Sequence, residues 1–93
     1  MRFEWDENKA RANVRKHDIR FEEALRVFAD PDHSERLDDR EELGEERWVA
    51  IGRPNRTSFR LLVVVYVDRE FDVRRIISAR TATPEEADDY YSR

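Results

Sequence analysis

The sequence predicts an α+β fold on three observations. Three strand-like runs, RWVAIG (47–52), FRLLVVVYV (59–67) and VRRIISA (73–79), follow one another with only turns between them. Helix-period segments flank this block, two before it and one after. The 93 residues make one domain, since single cores commonly take about 100 to 150, so these elements must share a core. Strands joined by short turns pair antiparallel, and amphipathic helices bury their apolar stripe on the resulting sheet. The expected order is β-α-α-β-β-β-α: an antiparallel sheet of about four strands with helices packed on one face, and residues 1–93 as a single domain.

RFEW (2–5) alternates and puts Phe3 and Trp5 on one side of a short first strand. Asp6 caps the helix that follows, because its carboxylate accepts the free amide protons of the first turn. That helix, about 7–17, lines Ala10, Asn13, Val14 and His17 along one narrow face, with Lys9, Arg11, Arg15 and Lys16 around the rest. Phe21, Ala24, Leu25 and Phe28 repeat at i, i+3, i+4, i+7 and mark a second helix over 21–29. Asp30-Pro31 ends it. Residues 30–46 hold nine carboxylates and two arginines without periodicity, which predicts an exposed acidic loop.

Pro54-Asn55 marks a turn after the RWVAIG strand. FRLLVVVYV is apolar on both faces and is expected at the centre of the sheet. DREFD (68–72) returns the chain into VRRIISA. Thr83-Pro84-Glu85-Glu86 begins the last helix, with a threonine cap, proline at the first position and acids in the first turn.

Asp, Glu, Lys and Arg make up 43% of the chain, against roughly 25% in an average domain. The net charge of −4 divides into +1 over residues 1–29, −6 over 30–49, +4 over 50–82 and −3 over 83–93. An acidic total argues against indiscriminate nucleic-acid binding, while the strand region retains a local basic face. The absence of cysteine excludes disulfides, thiolate metal sites and thiol nucleophiles. MRFEWDENKA has no apolar signal-like segment, and no apolar run approaches the roughly 18 residues of a membrane span. A cytoplasmic protein without a membrane partner is expected.

FEWDENKARANVRKHDIRFEEALRVFAD (3–30) resembles the opening of the BrnT toxins of bacterial type II toxin–antitoxin systems. The frame is F-E-W-D, then Lys9, Asn13, Lys16-His17, Ile19, Phe21-Glu22-Glu23-Ala24, Val27-Phe28 and Asp30. E-E-R-W (45–48), Gly52, R-L-L-V-V-V (60–65) and R-I-I-S-A-R (75–80) follow in the same order, so the resemblance spans nearly the whole chain. It implies a compact ribonuclease of RelE-like fold, inhibited by a ribbon–helix–helix antitoxin of the BrnA kind. It also implies that promoter DNA is bound only by the toxin–antitoxin complex, and it allows a homodimer contact. Asp18 stands where the family has glycine, and Arg20 where it has a Ser or Thr helix cap. Thr81 and the acidic helix PEEADDYY replace a basic residue and a basic helix.

For such an enzyme, cleavage without a metal cofactor needs a base for the 2′-hydroxyl, cations for the phosphorane and an acid for the leaving oxygen. Arginine suits the middle role, because its planar fork matches phosphate oxygens and keeps its charge. Arg74, Arg75 and Arg80 are therefore the expected phosphate-binding residues, with Arg75, Arg80, His17 and Lys16 the expected catalytic ones. Regular alternation places Arg74, Ser78 and Arg80 on one face of the strand and Arg75 on the other. Only a bulge, or Arg80 lying past the strand end, brings Arg75 and Arg80 together. The plain alternatives are ion pairing for the arginines, packing for His17 and solvation for Lys16. His33 with Asp30, Asp32 and Glu35 is too sparse a set for a metal, and no cofactor is expected. A rival expectation is a BrnT-like binding module whose catalytic surface has decayed, retained to bind the antitoxin and help repress its operon.

Overall fold

The structure, a computed structural model, describes residues 1–38 and 45–92. The elements are β1 (Arg2–Glu4), α1 (Glu7–His17), α2 (Phe21–Ala24), a 3-10 segment (Leu25–Ala29), β2 (Ser34–Leu37), β3 (Trp48–Gly52), β4 (Leu62–Arg69), β5 (Val73–Thr81) and α3 (Pro84–Tyr91). They build one five-stranded sheet in the order β1-β5-β4-β3-β2. The meander is present, with β3, β4 and β5 antiparallel in sequence. Most of the run expected at the centre does lie there, as β4, and all of Leu61 to Val67 is buried, but Phe59 and Arg60 precede the strand and Phe59 is exposed.

Three expectations need correction. The sheet has five strands rather than four, because β2 forms inside the stretch read as an acidic loop and pairs antiparallel with β3. Its residues, Ser-Glu-Arg-Leu, are mostly exposed, so no apolar alternation announces it. What forms it is the backbone: β3 would otherwise present a row of unpaired amide and carbonyl groups. The remainder of that stretch, 39–44, lies outside the described residues. The sheet is also mixed rather than purely antiparallel, since β1 runs parallel to β5.

The third correction concerns the layers, because helices cover both faces. On one face Ile19 of the connection after α1, Phe21 and Ala24 of α2 and Val27 of the 3-10 segment pack on Ala50, Leu62, Val64, Tyr66, Ile76 and Ala79. On the other, Tyr90 and Ala87 of α3 pack with Val49, Ile51, Leu61, Val63 and Val65. Each fully buried aliphatic side chain contributes roughly 1.5–3 kcal/mol. The second helix is also shorter than its periodicity suggests, turning 3-10 after Ala24.

Two local devices then set the positions of the polar residues. Val65 pairs with Ser78 but Tyr66 pairs with Ile76, so Ile77 is an extra residue in β5. This bulge reverses the side-chain phase along the strand. The other device is Asn13, only 6% exposed. β1 covers β5 only as far as Arg75, leaving an open edge beyond it. The Asn13 carboxamide closes that edge, donating to the Ala79 carbonyl at 2.9 Å and accepting from the Ala79 amide at 3.1 Å. It donates also to the Ile19 carbonyl at 3.0 Å. An amide side chain thus replaces one rung of a missing strand and fixes α1 beside β5.

Candidate functional site

The phase change at Ile77 decides which arginines share a face. β4 alternates regularly, so the partners of Val63, Val65, Val67 and Arg69 lie on one face: Arg80, Ser78, Arg75 and Val73. Arg74, paired with Asp68, lies on the other with Ile76 and Ala79. The expected grouping of Arg74 with Ser78 and Arg80 is therefore corrected, and Arg75 joins Arg80 through the bulge.

A cleft of about 470 Å³ opens on the Arg80 face. Its floor is Val49, Val63 and Val65, and its walls carry Lys16, His17, Ser78 and Arg80 on one side and Arg36 with Asp38 on the other. One rung of the sheet runs straight across it, Arg36–Val49–Val65–Ser78. Lys16 and His17 reach the cleft because they end α1, which Asn13 holds along the edge of β5. The helix stops there through Asp18, whose φ of 56° and ψ of 39° are left-handed and whose amide bonds the Val14 carbonyl. Asp18 thus takes the conformation that glycine most readily adopts.

Arg80 is held from above by α3. Its Nη1 and Nη2 donate to the two carboxylate oxygens of Glu86 at 2.7 and 2.8 Å. Glu86 also accepts from the Thr83 amide at 2.9 Å, completing a capping box. The bond from Arg80, outweighing burial and helped by the Thr83 amide, lowers the Glu86 pKa to about 2. One of the helix's four acids is therefore already neutralised within the fold.

The other predicted residues stand apart from the cleft. Arg75 lies farther down β5 and donates to Glu4 of β1 at 2.7 Å. Arg74 is only 13% exposed as a side chain. It donates to both oxygens of Asp68 at 2.7 and 3.0 Å and to Glu35 at 3.0 Å. Its guanidinium also stacks 4.2 Å from the Tyr66 ring centroid and 4.8 Å from that of Phe28. The Tyr66 hydroxyl donates to the same Glu35 at 2.6 Å. The fork of Arg74 is thus engaged on the opposite face of the sheet, beside Phe28 of the 3-10 segment.

A second cavity, about 560 Å³, is lined by Arg26, Asp30, Arg53 and Arg56 among others. It holds none of the predicted residues. Asp30, which borders it, accepts from the amides of Arg53 and Asp32 at 2.8 and 2.9 Å and from the Tyr90 hydroxyl at 2.6 Å. Burial would raise the Asp30 pKa, but these bonds outweigh it and the net shift is downward. Burial first, and then the bond to Asp30, pushes Tyr90 up to about 12. His33 Nδ1 lies 2.7 Å from the Asp30 carbonyl, and its ring meets Phe28 edge-on. Among the described residues no three His, Cys, Asp or Glu side chains converge as metal ligands, and no helix is long and apolar enough to cross a membrane.

Sequence reasoning missed Arg36 and Asp38 as neighbours of the cleft and gave Ser78 no role. No periodic signal marks the first two, whereas Ser78 was legible as a small polar residue in an otherwise apolar strand.

The chain matches a family described as the ribonuclease toxin BrnT of type II toxin–antitoxin systems, over residues 5–86. Among solved structures it is similar to the 1.1 Å crystal structure of the Brucella abortus ribonuclease toxin BrnT, at 25% identity and a TM-score of 0.66. That match covers 89% of this chain and 97% of the Brucella chain. No curated protein gives a significant match.

Proposed function

The chain belongs to the BrnT family of ribonuclease toxins of type II toxin–antitoxin systems, and from that premise we propose that its cleft cleaves RNA without a metal cofactor. The observation that carries the proposal is the convergence of Lys16, His17 and Arg80, from the end of a helix and the end of a strand, on one cleft. His17 takes the proton of the 2′-hydroxyl, whose oxygen attacks phosphorus. Arg80 neutralises the charge that builds on the non-bridging oxygens. The bond to the 5′-oxygen breaks, and that oxygen leaves with a proton from Lys16, giving a 2′,3′-cyclic phosphate and a 5′-hydroxyl. Arg75 extends the basic face below the cleft toward the flanking backbone, and Arg74 serves the fold.

A small antitoxin of the BrnA kind, a ribbon–helix–helix protein, neutralises the toxin. Promoter DNA is bound by the pair, with a homodimer contact inside that assembly. A RelE-like fold belongs to the same reading, as does work in the cytoplasm. One observation favours the rival binding module: Glu86 fills the Arg80 fork in the manner of a phosphate. Expression without antitoxin separates the two. Arrest of growth by the wild type, relieved by Arg80→Ala and by co-expressed antitoxin, is the result expected of a ribonuclease. Unimpaired growth with folded protein present selects the binding module.

A further inference from the structure

β2 carries into the cleft a cation that the polar sequence concealed. Arg36 and Ser78 end the same rung, separated by the backbones of β3 and β4. Three strand spacings put them roughly 14 Å apart, backbone to backbone. Arg80 lies one row further along on the Ser78 side, with the valine floor between the two arginines. They serve separate positions along a ligand more readily than one phosphate.

Their engagement differs as well. Arg74, Arg75 and Arg80 each donate to a carboxylate. Arg36 is exposed and, among the described residues, has no carboxylate partner. Among the described residues Asp38 is the one acid on the cleft wall. Between the cations the floor offers only aliphatic surface, on which a base or ribose rests without selection by hydrogen bonds.

We propose that Arg36 binds a phosphate flanking the scissile one, so that the cleft takes single-stranded RNA laid across the strands from β5 toward β2. This rests on the cleft being the RNA site. The substrate is then an oligonucleotide reaching beyond the scissile dinucleotide.

The probe is a fluorescent 2′-O-methyl hexanucleotide, which cannot cyclise and so is bound but not cut. Its affinity is measured in EDTA over a series of KCl concentrations for wild type, Arg36→Ala, Arg36→Lys and Arg26→Ala. Arg26→Ala removes the same charge from the 3-10 segment, away from the cleft. Arg36→Ala is expected to bind about fivefold to twentyfold more weakly, and the slope of log K against log salt to fall by about 0.7, the value of one single-strand phosphate contact. Arg36→Lys keeps the slope, and Arg26→Ala keeps both quantities. In cleavage, Arg36→Ala raises KM for a hexanucleotide and leaves kcat and dinucleotide cleavage unchanged.

Unchanged binding by Arg36→Ala overturns the inference, as does an equal loss in Arg26→Ala or no binding by wild type. Wild type that binds through Arg36 but cuts nothing overturns the catalytic reading and leaves the inference standing. Wild type that cuts while Arg36→Ala binds normally overturns the inference alone.

Discussion

Arg74 and Arg80 lie on one strand, six residues apart, and face opposite sides of the sheet. Arg74 sits between two aromatic rings with both ends of its fork on carboxylates, under the helices that cover that face. Arg80 borders an open cleft and is held by the Glu86 carboxylate of α3. The difference arises from one extra residue, Ile77, which reverses the strand's phase midway. An arginine-rich strand is thus not one basic surface. Part of it stabilises the fold, and part faces whatever enters the cleft.

The largest effect is expected where the two regions are joined. Asn13→Ala removes three buried hydrogen bonds and strands the Ala79 amide and carbonyl. It should cost about 3 kcal/mol, lowering the melting temperature by about 10–20 °C. Cleavage should fall as well, because Lys16 and His17 lose their anchor; calorimetry and an RNA assay on the same sample check both. Arg74→Ala leaves Glu35 and Asp68 without their common partner and uncovers the Tyr66 ring, at a cost of about 2–3 kcal/mol. Cleavage per folded molecule should stay unchanged, and a matching loss of activity would break the contrast between the faces.

Glu86→Gln should lower stability at neutral pH by about 1–2 kcal/mol, discounted because Arg80 is partly exposed. The carboxylate is held near 2 in the fold against 4.5 when free. Its contribution is therefore full above pH 4.5 and is lost as pH falls from there toward 2. Denaturation curves of wild type and variant should converge over that window, while RNA affinity rises about threefold as the fork of Arg80 is freed. Tyr90→Phe gives the smallest effect. The Tyr90 hydroxyl is raised from 10 to about 12, so the stability it contributes is present below pH 10 and lost as pH climbs toward 12. The variant's melting temperature should fall less than that of the wild type across that range.

Much of this arrangement was legible in the sequence. The Asp6 and Thr83 caps, the buried run after Phe59 and the Phe21-to-Phe28 periodicity are local signals, and each appears in the structure, the last one tightening to 3-10 after Ala24. Arg80, His17 and Lys16 could be nominated by their chemistry and their family frame. What stayed hidden depends on partners distant in sequence. β2 exists because β3 needs an edge partner, and its polar residues give no period. The side of the sheet each arginine takes depends on a bulge at Ile77, where nothing in R-I-I-S-A-R departs from an ordinary strand. The role of Asn13 depends on where β1 ends.

The most direct test is the cleavage of RNA in EDTA by purified wild type, Arg80→Ala and Arg74→Ala, each normalised to folded protein at a temperature where all three are native. Cleavage by wild type, falling roughly a hundredfold in Arg80→Ala and by less than about twofold in Arg74→Ala, is the predicted result. Equal activity of Arg80→Ala and wild type, or a wild type that cuts only when a metal ion is restored, would contradict it.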